Sequence, residues 1–235
     1  MSEKTVLSTK KLSQSQETLL LNAGLSFESY DAVKIIAVDF EAPELIENAI
    51  FTSQNAVHSF FNNKKASTRI KQCFCVGPKT ELKLKENEQN VAKMSNNALE
   101  LAHFIINNNK KDSFLFICGS HRRDDLPKLL KEEKIPVFEL ETYKTELKPR
   151  HFDQKWANIL FFSPTGVESF VEGQKADKNA LITLEDYFTN TSAFCIGETT
   201  ATAAKKYIGN VIVANSTTVE SVIAAAVKTM TNDKD

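Results

Sequence analysis

Hydroxyl side chains, single glycines and a few cations recur in five short stretches. They are Thr52-Ser53-Gln54-Asn55, Gly77-Pro78-Lys79-Thr80, Gly119-Ser120-His121-Arg122-Arg123, Ser163-Pro164-Thr165-Gly166 and Gly197-Glu198-Thr199-Thr200. Each lies between a short apolar run and a stretch of helical period. Residues of this kind at a strand-to-helix junction do one of two jobs. They cap the helix, or they join the free N–H groups of its first turn in holding an anion. In open α/β sheets ligands bind outside the carboxyl ends of the strands. Five such loops favour one ligand rich in carboxylate or phosphate. Arg122 and Arg123 are two of only four arginines, and they sit where a helix begins. A cation there opposes the helix dipole, and an anionic ligand would relieve the conflict. Lys10 and Lys11 follow the first strand in an equivalent position, and Lys79 follows a later one. Tyr143, in Glu141-Thr142-Tyr143-Lys144, ends a strand. It reads either as a packed aromatic or as a hydroxyl turned toward a ligand.

Several chemistries find no support. Gly-x-Gly-x-x-Gly, Gly-x-x-x-x-Gly-Lys-Ser/Thr and Gly-x-Ser-x-Gly are all missing, which removes most of the case for dinucleotide, ATP or α/β-hydrolase sites. His58, His103, His121 and His151 are scattered without ligand spacing, so no metal is expected. Cys73, Cys75, Cys118 and Cys195 lie in apolar runs without a Cys-x-x-Cys pair and read as buried free thiols. With 29 basic and 30 acidic residues the net charge is −1. No global field draws in nucleic acid or an anionic membrane. No apolar run approaches the ~18 residues of a membrane span. The start, Met1-Ser2-Glu3-Lys4-Thr5, lacks the apolar core of a signal peptide, so the expected compartment is the cytoplasm.

The elements that must position these loops alternate along the chain. The pattern predicts strands at Thr5–Ser8, Val33–Val38, Ala49–Thr52, Gln72–Val76, Ser113–Cys118, Val137–Leu140, Asn158–Phe162, Ala193–Ile196 and Val211–Val213. It predicts helices at Ser13–Ala23, Gln54–Phe61, Lys79–Glu86, Asn97–Asn107, Asp124–Glu133, Gly166–Glu172, Thr199–Tyr207 and Val219–Thr229. Such alternation argues for parallel sheets with helices on both faces. The chain also repeats. Phe51–Phe60 and Phe161–Phe170 share five of ten positions at an offset of 110, and Cys75–Thr80 matches Cys195–Thr200 at Cys, Gly and Thr. Two similar α/β domains follow. Residues 1–37 hold too little to fold alone, and completing the sheet of the second half is their natural use. The expected layout is therefore a discontinuous domain, 1–37 with 146–235, and an inserted domain, 39–143. Linkers near 37–42 and 141–149 would pair as a hinge. Both domains would be open parallel sheets of the Rossmann or flavodoxin kind.

Six segments, in order, resemble the uroporphyrinogen-III synthases. They are Phe51-Thr-Ser-Gln-Asn-Ala-Val57, Val76-Gly-Pro-Lys-Thr80, Cys118-Gly-Ser-His-Arg-Arg123 with Leu126-Pro127, Thr142-Tyr143-Lys-Thr145, Phe161-Phe-Ser-Pro-Thr-Gly-Val167 and Ile196-Gly-Glu-Thr-Thr200. The resemblance implies two α/β domains, one inserted in the other, joined by a two-stranded linker. It implies a cofactor-free reaction. Linear hydroxymethylbilane loses its hydroxyl as water and closes, with the last pyrrole inverted through a spiro intermediate. The substrate carries eight carboxylates, which suits loops of N–H groups, hydroxyls and cations.

By the same resemblance Tyr143 takes the place of the tyrosine that assists water loss. Thr80 and Thr200 match threonines lining the cleft, and Ser53 and Ser163 match the serines of paired strand-end loops. Gly119, Ser120, Arg122, Arg123, Gly197 and Thr218 fall in other substrate-facing loops, with Gln54, Thr165 and Thr199 beside them. The chain departs from the family where the first strand ends. The usual Thr-Arg-Pro is here Thr9-Lys10-Lys11, so Lys10 keeps the charge and loses bidentate carboxylate recognition. Lys79 and Glu198 also differ from common choices. The implied enzyme is a cytoplasmic monomer with at most transient contact with the preceding pathway enzyme. The competing reading is a two-domain small-anion binder without catalysis. A relative that kept the fold and lost activity is a third.

Overall fold

The computed structural model describes residues 4–63, 68–122, 124–175 and 183–232. In chain order the elements are β1 (Thr5–Ser8), α1 (Gln14–Asn22), β2 (Ser26–Ser29), β3 (Val33–Ala37), β4 (Leu45–Phe51), α2 (Gln54–Phe61), β5 (Arg69–Val76), α3 (Pro78–Glu86), β6 (Val91–Ser95), α4 (Ala98–Asn108), β7 (Phe114–Gly119), α5 (Asp125–Glu132) and β8 (Val137–Leu147). There follow β9 (Asn158–Phe161), α6 (Pro164–Lys175), α7 (Leu184–Phe188), β10 (Ser192–Cys195), α8 (Glu198–Ala204), β11 (Asn210–Val213) and α9 (Val219–Asn232). No helix among the described residues is long and apolar enough to cross a membrane.

The chain divides into two compact units, residues 1–34 with 146–235, and residues 35–145. The first contains a five-stranded sheet in the order β11-β10-β9-β1-β2, parallel throughout. The second sheet runs β3-β8-β7-β4-β5-β6, and its β8-to-β6 stretch is parallel. If β9 is matched with β4, the orders β11-β10-β9-β1-β2 and β6-β5-β4-β7-β8 are the same. The internal repeat joins these strands, since Phe161 ends β9 as Phe51 ends β4 and Cys195 ends β10 as Cys75 lies near the end of β5. The two sheets are one topology with the chain opened at different places.

Alternation along the central strands fills both faces of each sheet. Phe51, Cys73 and Cys75 pack on one face with Ala56, Val57 and Phe60 of α2 and Leu84 of α3. Ile50, Phe74 and Phe116 pack on the other with Leu101 and Ile105 of α4 and Leu126 and Leu130 of α5. In the other unit Phe161 and Cys195 face α6 and α8, while Leu160 and Phe194 face α1 and α9. Each fully buried Phe or Leu contributes roughly 1.5–3 kcal/mol by leaving water.

Three expectations need correction. The strand Val33–Val38 does not complete the N-terminal sheet. As β3 it lies beside β8, where the Val38 N–H donates to the Thr142 carbonyl (3.1 Å) and the Lys148 N–H to that of Ala32 (2.8 Å). Those pairs make β3 antiparallel to the end of β8. The return strand is β2, an outer strand whose Ser-Phe-Glu-Ser holds one apolar residue and so gave no apolar run. Outer β6 and the short α7 went unpredicted too. Finally, β8 extends seven residues past Leu140, and α6 starts at Pro164 rather than Gly166, proline being well suited to a first helical position.

All four cysteines are buried and free. Burial pushes the thiols of Cys73 and Cys195 up to about 12 and that of Cys75 up to about 11, and it raises Cys118 as well. Thiolates, the reactive form, are therefore scarce near pH 8. The folded protein is expected to leave a disulfide reagent such as DTNB unconsumed for many minutes, with four equivalents reacting after denaturation. A rapid equivalent in the native state would contradict this packing.

Candidate active site

Strand order reverses once in each sheet, and that is where an open α/β sheet leaves a crevice. In the unit of residues 35–145 the reversal lies at β4. The chain runs outward through β5 and β6, then returns to place β7 on β4's other side. Ser53 follows β4, and Gly119 ends β7. Tyr143 lies on β8 in register with Gly119, just past a bulge at Cys118/Gly119.

These residues meet. The Tyr143 hydroxyl is 3.0 Å from Ser53 Oγ, and Ser53 Oγ also accepts the Ala56 N–H (3.1 Å), capping α2. The tyrosine ring lies flat over Gly119. A Cβ on that glycine would stand 2.5 Å from Cε2 and 2.9 Å from Cε1, which no real side chain tolerates. The Ser120 N–H donates to the Tyr143 carbonyl (3.0 Å), and the Thr145 N–H donates to Ser120 Oγ (3.4 Å). Next to it, Thr142 is fully buried. Its hydroxyl donates to the Cys118 carbonyl (3.4 Å), and its own carbonyl accepts the Ser59 hydroxyl. Tyr143 is thus fixed along its whole length. Burial raises its pKa above the ordinary 10, opposed by the bond to Ser53. The phenol keeps its proton at neutral pH. The packed-aromatic reading and the hydroxyl reading both describe it: the ring belongs to the hydrophobic core, and the hydroxyl lies at the switch point.

The other predicted residues of this unit fall at strand ends. Gln54 is exposed in the first turn of α2, and Thr80 is buried in the first turn of α3. That helix is capped by Gly77 with no side-chain acceptor. Arg122 is engaged otherwise than its sequence context suggests. Its guanidinium pairs with Glu139 of β8 and with Asp124 (3.2 Å), and Lys131 shares Glu139 (2.9 Å). The dipole conflict is met by protein carboxylates. An open groove of about 610 Å³ beside them is lined by Arg122, Lys128, Lys131, Asp124, Glu132 and Glu139, a balanced set rather than an anion trap. Arg123 lies outside the described residues.

The other unit repeats the scheme at β9 and β1. Ser163 Oγ accepts the Gly166 N–H (2.9 Å) at the start of α6, as Ser53 does for α2. A Cβ on Gly166 would stand 3.2 Å from Ser163 Oγ and 3.7 Å from Thr9 Oγ1, so the ends of β1 and β9 converge on this helix. Thr9, whose hydroxyl donates to the Leu160 carbonyl (2.8 Å), was overlooked beside the charge of Lys10, which is exposed. Its signal was its place as the hydroxyl next to a strand's carboxyl end. Thr165 is half-buried in the first turn of α6. Gly197 caps α8 without a side-chain bond and approaches Thr217, Thr199 is exposed, and Thr200 is buried. Thr218 Oγ1 accepts the Ser221 N–H (3.1 Å) at the start of α9. Ser53, Ser163 and Thr218 therefore do cap helices. Each keeps its own O–H as a remaining donor.

The family model described as uroporphyrinogen-III synthase HemD matches residues 26–224. Lys10 lies outside that stretch. A crystal structure of the uroporphyrinogen-III synthetase of Helicobacter pylori is similar over 96% of this chain and 99% of its own, with TM-score 0.69 and 16% identity. A mutant uroporphyrinogen III synthase of Thermus thermophilus is similar over 98% and 99%, with TM-score 0.64 and 15% identity. At such identities the structures speak for the fold. The sequence match reaches from β2 to α9 through both units, and by it the chain belongs to the uroporphyrinogen-III synthase family.

Proposed function

We propose that the protein is a uroporphyrinogen-III synthase, a cyclising lyase that converts linear hydroxymethylbilane to the ring with its last pyrrole inverted and releases water. The observation that carries the reading is the seating of a protonated Tyr143 at the switch point of residues 35–145, in a chain of this family. Bond cleavage at the hydroxymethyl carbon needs a proton on the departing oxygen. Tyr143 supplies it or shares it through a hydrogen bond, while electrons of the adjoining pyrrole fill the vacated bond. Ring closure through the spiro intermediate then depends on holding a flexible chain in one shape, an orientation effect. The strand-end hydroxyls of Thr80, Ser120, Ser163, Thr200 and Thr218 serve the carboxylates. The two compact units act as domains, one inserted in the other, and the strands β3 and β8 carry the chain between them.

Freshly prepared hydroxymethylbilane tests this directly. The expected product, after oxidation and separation of isomers, is the inverted type III porphyrin, formed at a rate proportional to protein. Only the non-inverted isomer, at the blank rate, would refute the reading.

A further inference from the structure

We propose that Ser53 is a positioning residue for the reaction: it donates its hydroxyl proton to the phenolic oxygen of Tyr143, so that the phenol's own proton is aimed away from the protein at the departing hydroxyl. The inference deepens the synthase reading and rests on it for its catalytic part. A serine hydroxyl has one proton and two acceptor sites. The Ala56 N–H occupies one acceptor site of Ser53 Oγ, and the Tyr143 oxygen is its other hydrogen-bonding neighbour among the described residues, at 3.0 Å. If Tyr143 were the donor, its proton would be spent inside the protein. The cap favours the opposite direction. A hydroxyl that accepts a helix N–H is polarised into a better donor, and the positive end of α2 favours negative charge on the far oxygen. As the phenol yields its proton, the Ser53 hydrogen bond becomes charge-assisted and strengthens. Its benefit is thus concentrated in the transition state and falls on kcat. The seat over Gly119 holds the ring in place, so the phenol cannot swing to another partner.

The test separates donation from capping. Ser53→Asp keeps a good cap acceptor and, ionised, has no proton to give, whereas Ser53→Thr keeps both functions. Ser53→Ala and Ser53→Asp are expected to lose roughly 10- to 100-fold in kcat, the worth of a hydrogen bond to a charged group, with KM nearly unchanged. Ser53→Thr is expected to restore most of the rate. An independent readout is the titration of the Tyr143 Cζ resonance in the free protein labelled with carbon-13 tyrosine. The titratable neighbour acting on this phenol is the Cys118 thiol on β7, itself kept neutral by burial. Loss of the Ser53 donor is expected to move the Tyr143 midpoint to higher pH in Ser53→Ala, with Ser53→Thr close to wild type. Unchanged kcat in Ser53→Asp, or an unmoved midpoint in Ser53→Ala, would overturn the proposal. A wild type that fails to form the type III isomer refutes the synthase reading alone, because the titration still reports whether Ser53 donates to the Tyr143 oxygen.

Discussion

Tyr143→Phe is expected to retain its fold and lose roughly 10²- to 10⁴-fold in kcat, the usual contribution of a positioned general acid. The substitution removes one oxygen and leaves the ring on Gly119, among the side chains that already bury it. Ser53 still caps α2 through Ala56, so local structure has no reason to change. The folded state forfeits one neutral hydrogen bond, about 1 kcal/mol, a small fraction of a domain's stability. KM is expected to stay within a few-fold, since the proposed reading gives the substrate carboxylates to other residues. The pH dependence sharpens the case. Burial raises the Tyr143 phenol above its ordinary value, so the proton donor is intact through neutral pH and is lost only in the alkaline range above ~10. The wild-type rate is expected to fall there, and the Phe variant to lack that limb. Isomer-resolved initial rates with a parallel thermal melt check both statements. Turnover within threefold of wild type would take Tyr143 out of the chemistry.

Much of this was legible because glycine, serine and threonine punctuate strand ends. The repeat of Phe51–Phe60 in Phe161–Phe170 marked the two central strands and the helices they feed, and those strands are where the order reverses. The internal apolar runs gave the buried strands within a few residues. Outer strands were harder, because one exposed side removes the apolar run: β2 reads Ser-Phe-Glu-Ser and β6 Val-Ala-Lys-Met-Ser. The candidate site was visible as a set of loops but not as contacts. Ser53 and Tyr143 are 90 residues apart, and nothing in their spacing announces a hydrogen bond. Gly119 could be recognised as a glycine with a backbone reason. That the reason is the face of Tyr143 depends on a bulge at Cys118/Gly119, which sets the register between β7 and β8. The partners of Arg122 were hidden for a similar cause. Its neutralising partner Glu139 stands 17 residues on, on the adjacent strand, and the helix-dipole conflict visible locally was already resolved across the sheet.

Gly173, which no loop argument singled out, carries the second large effect. It lies near the end of α6, where alanine ordinarily stabilises a helix by about 1 kcal/mol over glycine. Here a Cβ would stand 2.7 Å from both the amide nitrogen and the carbonyl carbon of Arg150, with the carbonyl oxygen nearer still. The obstacle is backbone, and that backbone is held. The Lys148 N–H bonds Ser169 Oγ (3.1 Å), the Arg150 carbonyl accepts Gln174 Nε2 (3.2 Å), and the Arg150 guanidinium pairs with Glu28 (2.6 Å) and stacks 4.6 Å from the Phe152 ring. The chain leaving β8 therefore cannot retreat without breaking several of these. Gly173→Ala is expected to cost about 3 kcal/mol, the upper part of the range for overpacking, and to lower Tm by roughly 6–12 °C for a chain of this size. Gly209 provides the contrast. Nothing stands within 4 Å of a Cβ there, and its φ is not among the positive values. Gly209→Ala should shift stability by no more than about 0.5 kcal/mol. Calorimetry on the two variants decides between helix propensity and contact. A Gly173→Ala protein more stable than wild type would mean that propensity wins and that α6 does not grip the Arg150 backbone.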